Sequence, residues 1–200
     1  MTASHAVPLG GSRIVARVTV VTLLALAALL VVFQTPYRVA EIQLAGALVG
    51  LFEHGVRVDP SGPTMYFGLG TDKALGLVMT PECTSAFLIL PLLVISSIMI
   101  ALRPRITRRV LFALGAAAVL LILVNQFRLV NLVVLVNLMG TARGYYWGHT
   151  MGGSLVSIFG GAIALVLFVW LATRKSKAER LPARQRRVAP TEDTDEDSAR

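Results

Sequence analysis

Cysteine is all but missing. Cys83 is the only one in 200 residues, which excludes an intrachain disulfide, a Cys-x-x-Cys redox pair and a Cys-rich zinc site. Charge is scarce as well: 15% of residues are Asp, Glu, Lys or Arg, 55% are hydrophobic, and mean hydropathy is +0.70. Those proportions exclude an ordinary soluble domain and point into a bilayer. The formal net charge of +8 gathers just outside the apolar runs, at Arg13 and Arg17, at Arg103, Arg105, Arg108 and Arg109, and over residues 174–187. This is the pattern of topology signals facing membrane lipid. A nucleic-acid footprint needs a basic face on a folded soluble domain, so no nucleic-acid partner is expected. Only three histidines are present, and His5 lies in a polar, Gly-rich leader (1–13) expected to be disordered.

The apolar runs set the expected architecture, an all-α polytopic membrane protein. Residues 14–33 have the length of a membrane span. Basic residues precede an apolar core, as in a signal peptide, but Gln34-Thr35-Pro36 ends the run without an Ala-x-Ala-like site, so a retained helix is expected. Over 37–52 the residues Tyr37, Ala40, Leu44, Leu48 and Leu51 recur at helical spacing while Arg38, Glu41, Gln43 and Glu53 avoid the stripe. The segment reads either as an amphipathic helix lying on the outer surface or as a helix packed on the bundle. Residues 56–78 are Gly-rich, with a turn signal at Asp59-Pro60-Ser61-Gly62-Pro63, and predict a hairpin or ordered loop over the mouth of the bundle.

Residues 84–102, with Pro91 inside, form the second expected span. The Arg-dense loop that follows is cytoplasmic by the positive-inside rule, which places Cys83 on the outer side. From Val110 an apolar run is interrupted by Asn125-Gln126-Phe127-Arg128. One span plus a partial or interfacial segment is the simpler reading, with a single long tilted helix as its competitor. Residues 150–172 are the last span, and Tyr145-Tyr146-Trp147 before it is an interfacial aromatic signature. About four full spans result, comprising a domain over 14–173 with both termini in the cytoplasm, and 174–200 is expected to be a disordered tail.

This topology puts Cys83, Arg128 and His149 at one depth. Arg128 lies eighteen residues beyond Val110, a rise of roughly 27 Å that carries it from the cytoplasmic side to the outer interface. His149 shares a four-residue series with Gly153, Ser157 and Gly161, small residues that let another helix approach. Asn125 lies on the face of Arg128 and supports it. A thiolate is a strong nucleophile near a cation, an imidazole exchanges protons near neutral pH, and a guanidinium stabilises a thiolate or an oxyanion. Together they suit acyl transfer by a cysteine peptidase or transpeptidase.

Each residue also has a plain structural reading. Cys83 fits a small packing residue, His149 an interfacial side chain, and Arg128 a cation that snorkels to headgroups. Arg143 is a rival cation in a loop. Glu82 either orients His149, pairs with Arg128 or is a surface carboxylate. A zinc site from Cys83, His54 and His149 has no ligand spacing behind it, so neither metal nor cofactor is expected. Two other functions stay open: a non-enzymatic membrane scaffold or assembly factor, and a membrane acyltransferase using Cys83.

Glu82-Cys83-Thr84-Ser85 opening a span, Asn125-Gln126-Phe127-Arg128 near the end of another and His149 with Gly153 opening a third resemble the exosortase/archaeosortase family, over about residues 75–161. The resemblance implies a membrane sorting enzyme with Cys83 as nucleophile, Arg128 as oxyanion or thiolate stabiliser and His149 as proton carrier. It also implies substrates: secreted proteins ending in a short motif, a membrane helix and a basic cluster, cleaved on the outer face of the cytoplasmic membrane and passed to a surface acceptor nucleophile. Ser85 stands where many members have glycine, and many members are longer with more spans.

Overall fold

The computed structural model describes residues 10–71 and 74–174. Most of the expected leader and nearly all of the tail lie outside the described residues. The chain is largely helical. Helix α1 (Gly10–Val32) begins inside the segment expected as leader, and α2 (Gln34–Val49) follows after the single hinge residue Phe33. Pro36 sits in the first turn of α2, where its missing N–H has no intrahelical partner to lose. Helix α3 (Ala86–Leu102) runs through Pro91, α4 spans Thr107–Met139, α5 is the short Thr141–Tyr145, and α6 (Gly153–Thr173) closes the described chain.

Three helical stretches are long and apolar enough to cross a membrane: Arg13–Val32, Pro104–Met139 and Thr141–Thr173. Helix α3, expected as a full span, is a shorter apolar helix of 17 residues. It starts later than expected because Pro81–Cys83 winds as a 3₁₀ turn and Thr84 is extended. The protein is therefore a helical membrane protein by the length and composition of its helices.

Two expectations are corrected. Residues 107–139 form one continuous 33-residue helix, which is the competing reading and not the simpler one of a span with a separate partial segment. The polar Asn125 and Gln126 do not end it, since Asn125 Nδ2 reaches Glu41 Oε1 and Gln126 Nε2 reaches the Glu41 carbonyl, both at 3.3 Å. The fold is also not purely α. The region expected as a hairpin or loop is a three-stranded antiparallel sheet, β1 (Arg57–Val58), β2 (Thr64–Phe67) and β3 (Leu75–Val78), in that order. The Asp59 carboxylate closes the first connection by accepting from the Ser61 amide and hydroxyl, as the turn signal anticipates.

Two apolar cores hang on α4. Its first half packs with α1, α3 and α6 around Leu93, Ile100, Val110, Ala117 and Phe168. Its second half packs with α2 and the sheet around Ile42, Val49, Met65, Phe67 and Val133. Strand alternation drives the second core, because Met65 pairs with Leu77 and both point inward while Tyr66 points out.

The buried face of α2 also differs from expectation. Glu41, Ile42, Ala45, Gly46 and Val49 face inward, whereas Ala40, Leu44 and Leu51 are exposed. A buried carboxylate needs hydrogen-bond partners, and Glu41 finds them in Thr84, Ser85 and Asn125, which turns this face of α2 inward.

Arg13, Arg17, Arg103, Arg105, Arg108, Arg109 and Arg174 gather at one end, whereas Arg38, Arg57, Arg128 and Arg143 belong to the elements around the sheet and Cys83. Arg13 and Arg17 line a cleft with Ala101 and Pro104, and Arg109 Nη1 donates to the Arg174 carbonyl. The sheet, Cys83 and His149 occupy the opposite end.

Candidate active site

Cys83 ends the 3₁₀ turn between β3 and α3. Its amide donates to the Thr80 carbonyl at 3.0 Å, and the Thr80 hydroxyl donates to Sγ at 3.2 Å. Two more groups converge on the sulfur. Arg128 Nη2 on α4 lies 3.5 Å from Sγ, and His149 Nε2 lies 3.8 Å from it. The three residues expected at one depth thus meet at one atom, from three separate stretches of chain. All three are partly buried, and with Leu77, Met79 and Leu132 they line a small cleft beneath β3.

Arg128 is held from behind by α6. Its Nη1 donates to Ser157 Oγ at 3.2 Å, and that hydroxyl donates to the Gly153 carbonyl at 2.9 Å. Gly153 leaves room for the guanidinium: a Cβ there would stand 2.8 Å from Arg128 Nε. The expected series His149, Gly153, Ser157, Gly161 is only partly a face. Tyr146–Gly152 winds as a π-helix, and His149, Gly153 and Ser157 all reach the Cys83–Arg128 pair, whereas Gly161 faces Leu88. Gly160, not Gly161, is the close approach to α4, where a Cβ would collide with Val124. π turns recur at functional sites because they re-aim a side chain within an otherwise regular helix. Tyr145 stacks on the His149 ring, with centroids 5.1 Å apart and planes within 10°, and so fixes its plane.

The two supporting residues sit elsewhere. Asn125 binds Glu41, one helical turn from Arg128, and makes no contact with the sulfur. Glu82 is exposed and neither orients His149 nor pairs with Arg128. Its own backbone amide first, then the Thr80 hydroxyl when its one proton turns from Sγ to the carboxylate, hold its carboxyl below the ordinary range, so it is a charged surface group. Arg143 is exposed within α5, away from the sulfur. Among the described residues no three His, Cys, Asp or Glu side chains are grouped to hold a metal, and His54 does not join Cys83 and His149.

The helical spacing puts Glu41 on the polar side of an amphipathic helix and gives no place for it at the site, whereas the structure buries it behind Cys83. It is 5% exposed. Its carboxylate accepts from Thr84 Oγ1, from Ser85 Oγ at 2.6 Å and from the Ser85 amide at 3.3 Å, all at the N-terminal end of α3. A carboxylate is favoured there by the unpaired N–H groups and the helix dipole. Because Ser85 Oγ donates to Glu41, Tyr37, 2.7 Å away, is its donor. Burial pushes the Tyr37 phenol up, which keeps that proton in place at neutral pH. A signal was present in sequence: a carboxylate three residues after Arg38, within a helix otherwise poor in charge.

The arrangement places an imidazole nitrogen and a guanidinium nitrogen each within 4 Å of one thiol sulfur, a set of groups able to move a proton and balance negative charge there. No protein-family model, curated protein or solved structure matches this chain.

Proposed function

We propose that the protein is a membrane-embedded cysteine peptidase or transpeptidase, similar in its chemistry to the exosortase/archaeosortase enzymes. The observation that carries this reading is the convergence of His149 Nε2 and Arg128 Nη2 on the Cys83 sulfur. A packing cysteine needs neither an imidazole nor a guanidinium at its sulfur.

The residues act in order. Cys83 gives its proton to His149, with the Arg128 guanidinium favouring the charged sulfur. The sulfur attacks the carbonyl carbon of a peptide bond, and the new oxyanion is balanced by Arg128. The C–N bond breaks, the amine leaves with the proton carried by His149, and a thioester remains on Cys83. An acceptor amine, or water, then attacks the thioester carbonyl, gives up a proton to His149 and releases the sulfur. Amine as acceptor gives transpeptidation, and water gives hydrolysis.

The basic end of the bundle is assigned to the cytoplasm and the site to the outer face of the cytoplasmic membrane, with α3 completing four spans. The substrates are secreted proteins ending in a short motif, an apolar helix and a basic cluster, as the resemblance to the exosortase/archaeosortase enzymes implies.

The test is processing of a secreted reporter that carries such a C-terminal signal, in cells expressing the protein. Cys83→Ala, Arg128→Ala and His149→Ala are each expected to abolish shortening of the reporter while the protein stays in the membrane at wild-type level. Retained processing in any of the three removes that residue from the mechanism.

A further inference from the structure

Glu41 joins three elements. From α2 its carboxylate reaches Thr84 and Ser85, the two residues immediately after Cys83, and Asn125, one helical turn before Arg128; its carbonyl accepts from Gln126. Burying a carboxylate costs several kcal/mol unless it is fully hydrogen-bonded, and apolar residues would dock α2 on α4 without that cost. The apolar packing of α3 against α4 lies deeper, around Ile89, Leu93 and Leu121. At the level of the sulfur the polar bridge through Glu41 links the thiol-bearing turn to the guanidinium-bearing helix.

We propose that Glu41 is the positioning residue of this site: held between Thr84 and Ser85 on one side and Asn125 on the other, it sets the approach of the Cys83 sulfur to the Arg128 guanidinium. The inference rests on the reading of Cys83 and Arg128 as a working pair. Glu41 touches neither reacting group and acts through the backbone of residues 83–85. Tyr37 extends the bridge by donating to Ser85 Oγ.

The experiment uses the full chain in detergent and the rate of alkylation by iodoacetamide at neutral pH. Cys83 is the only cysteine, so the reagent reports one sulfur. Arg128→Gln is expected to slow alkylation by about tenfold through loss of the cation. Glu41→Ala is expected to slow it to a similar extent, and the double variant no further than the slower single one, because both act on one contact. Glu41→Gln, which keeps an acceptor oxygen, should recover most of the rate. A merely structural Glu41 would lower the melting temperature without this non-additivity. If Glu41→Ala does not elute as a folded species, Ser85→Ala removes the bridge from the other side and is expected to slow the reaction in the same way. Slow alkylation in Arg128→Gln with a wild-type or raised rate in Glu41→Ala, or a product of the two effects in the double variant, overturns the role of Glu41 alone. A wild-type rate in Arg128→Gln overturns the Cys83–Arg128 pairing and the role of Glu41 with it.

Discussion

Gly153→Ala places one methyl group against the guanidinium without removing any chemical group from the site. The new Cβ would stand 2.8 Å from Arg128 Nε, 3.3 Å from Nη2 and 3.1 Å from the Gly148 carbonyl oxygen. Ordinary contact begins near 3.5 Å, so Nε has to retreat by roughly 0.7 Å. Nη2 moves with it, and a separation of 3.5 Å from the sulfur is already at the long end of a useful contact. A displacement of this size at a reacting centre costs on the order of 10- to 100-fold in rate, or about 1.4 to 2.7 kcal/mol of barrier. The fold loses little, because the Gly148 carbonyl has to give only a few tenths of an ångström and alanine is favoured over glycine within a helix by about 1 kcal/mol. Reporter processing measured with a melting curve on the same preparation separates the two effects. The expected result is a melting temperature within a few degrees of wild type and a clear loss of rate. Processing within about threefold of wild type would refute the tight fit of Arg128 against α6.

Gly160→Val drives a branched side chain into Val124 across the α4–α6 contact, and overpacking of this kind costs about 1 to 3 kcal/mol, read as a fall of several degrees in melting temperature. Ser157→Ala removes the hydroxyl behind Arg128 Nη1 and is expected to lower processing by roughly tenfold, as for a hydrogen bond to a charged group, with Ser157→Thr recovering it. Glu82→Gln is expected to leave processing within about twofold of wild type at neutral pH. Because hydrogen bonds depress its folded-state pKa, any contribution of its charge is present above the ordinary carboxylate range and is lost only as acid protonates it, so a changed rate at pH 7 would return Glu82 to the site.

The meeting of Cys83, Arg128 and His149 was legible because the expected position along each span is arithmetic. Arginine-rich loops fix which side a span begins on, and 1.5 Å per residue fixes how far Arg128 has climbed. Cys83 and His149 needed only the ends of their apolar runs. The turn at Asp59 was legible from its residue types, but the pairing of β1, β2 and β3 depends on α2 and α4 supplying a floor for Met65 and Phe67.

Glu41 and the continuity of α4 were misread for one shared reason. Asn125-Gln126 looked like the end of a span and Glu41 looked like an outward group, because polar residues were assumed to seek water. Each instead satisfies the other inside the protein. The π turn at Tyr146–Gly152 left no periodic signal, since one wide turn within a helix shifts the phase of everything after it.

The most direct measurement of the central claim is mass spectrometry of Cys83 in protein purified from cells that are processing the reporter. The account predicts a reporter fragment joined to Cys83 by a hydroxylamine-labile thioester, cut at the reporter's own cleavage site and absent in Cys83→Ala. Continued shortening of the reporter in Cys83→Ala would contradict it.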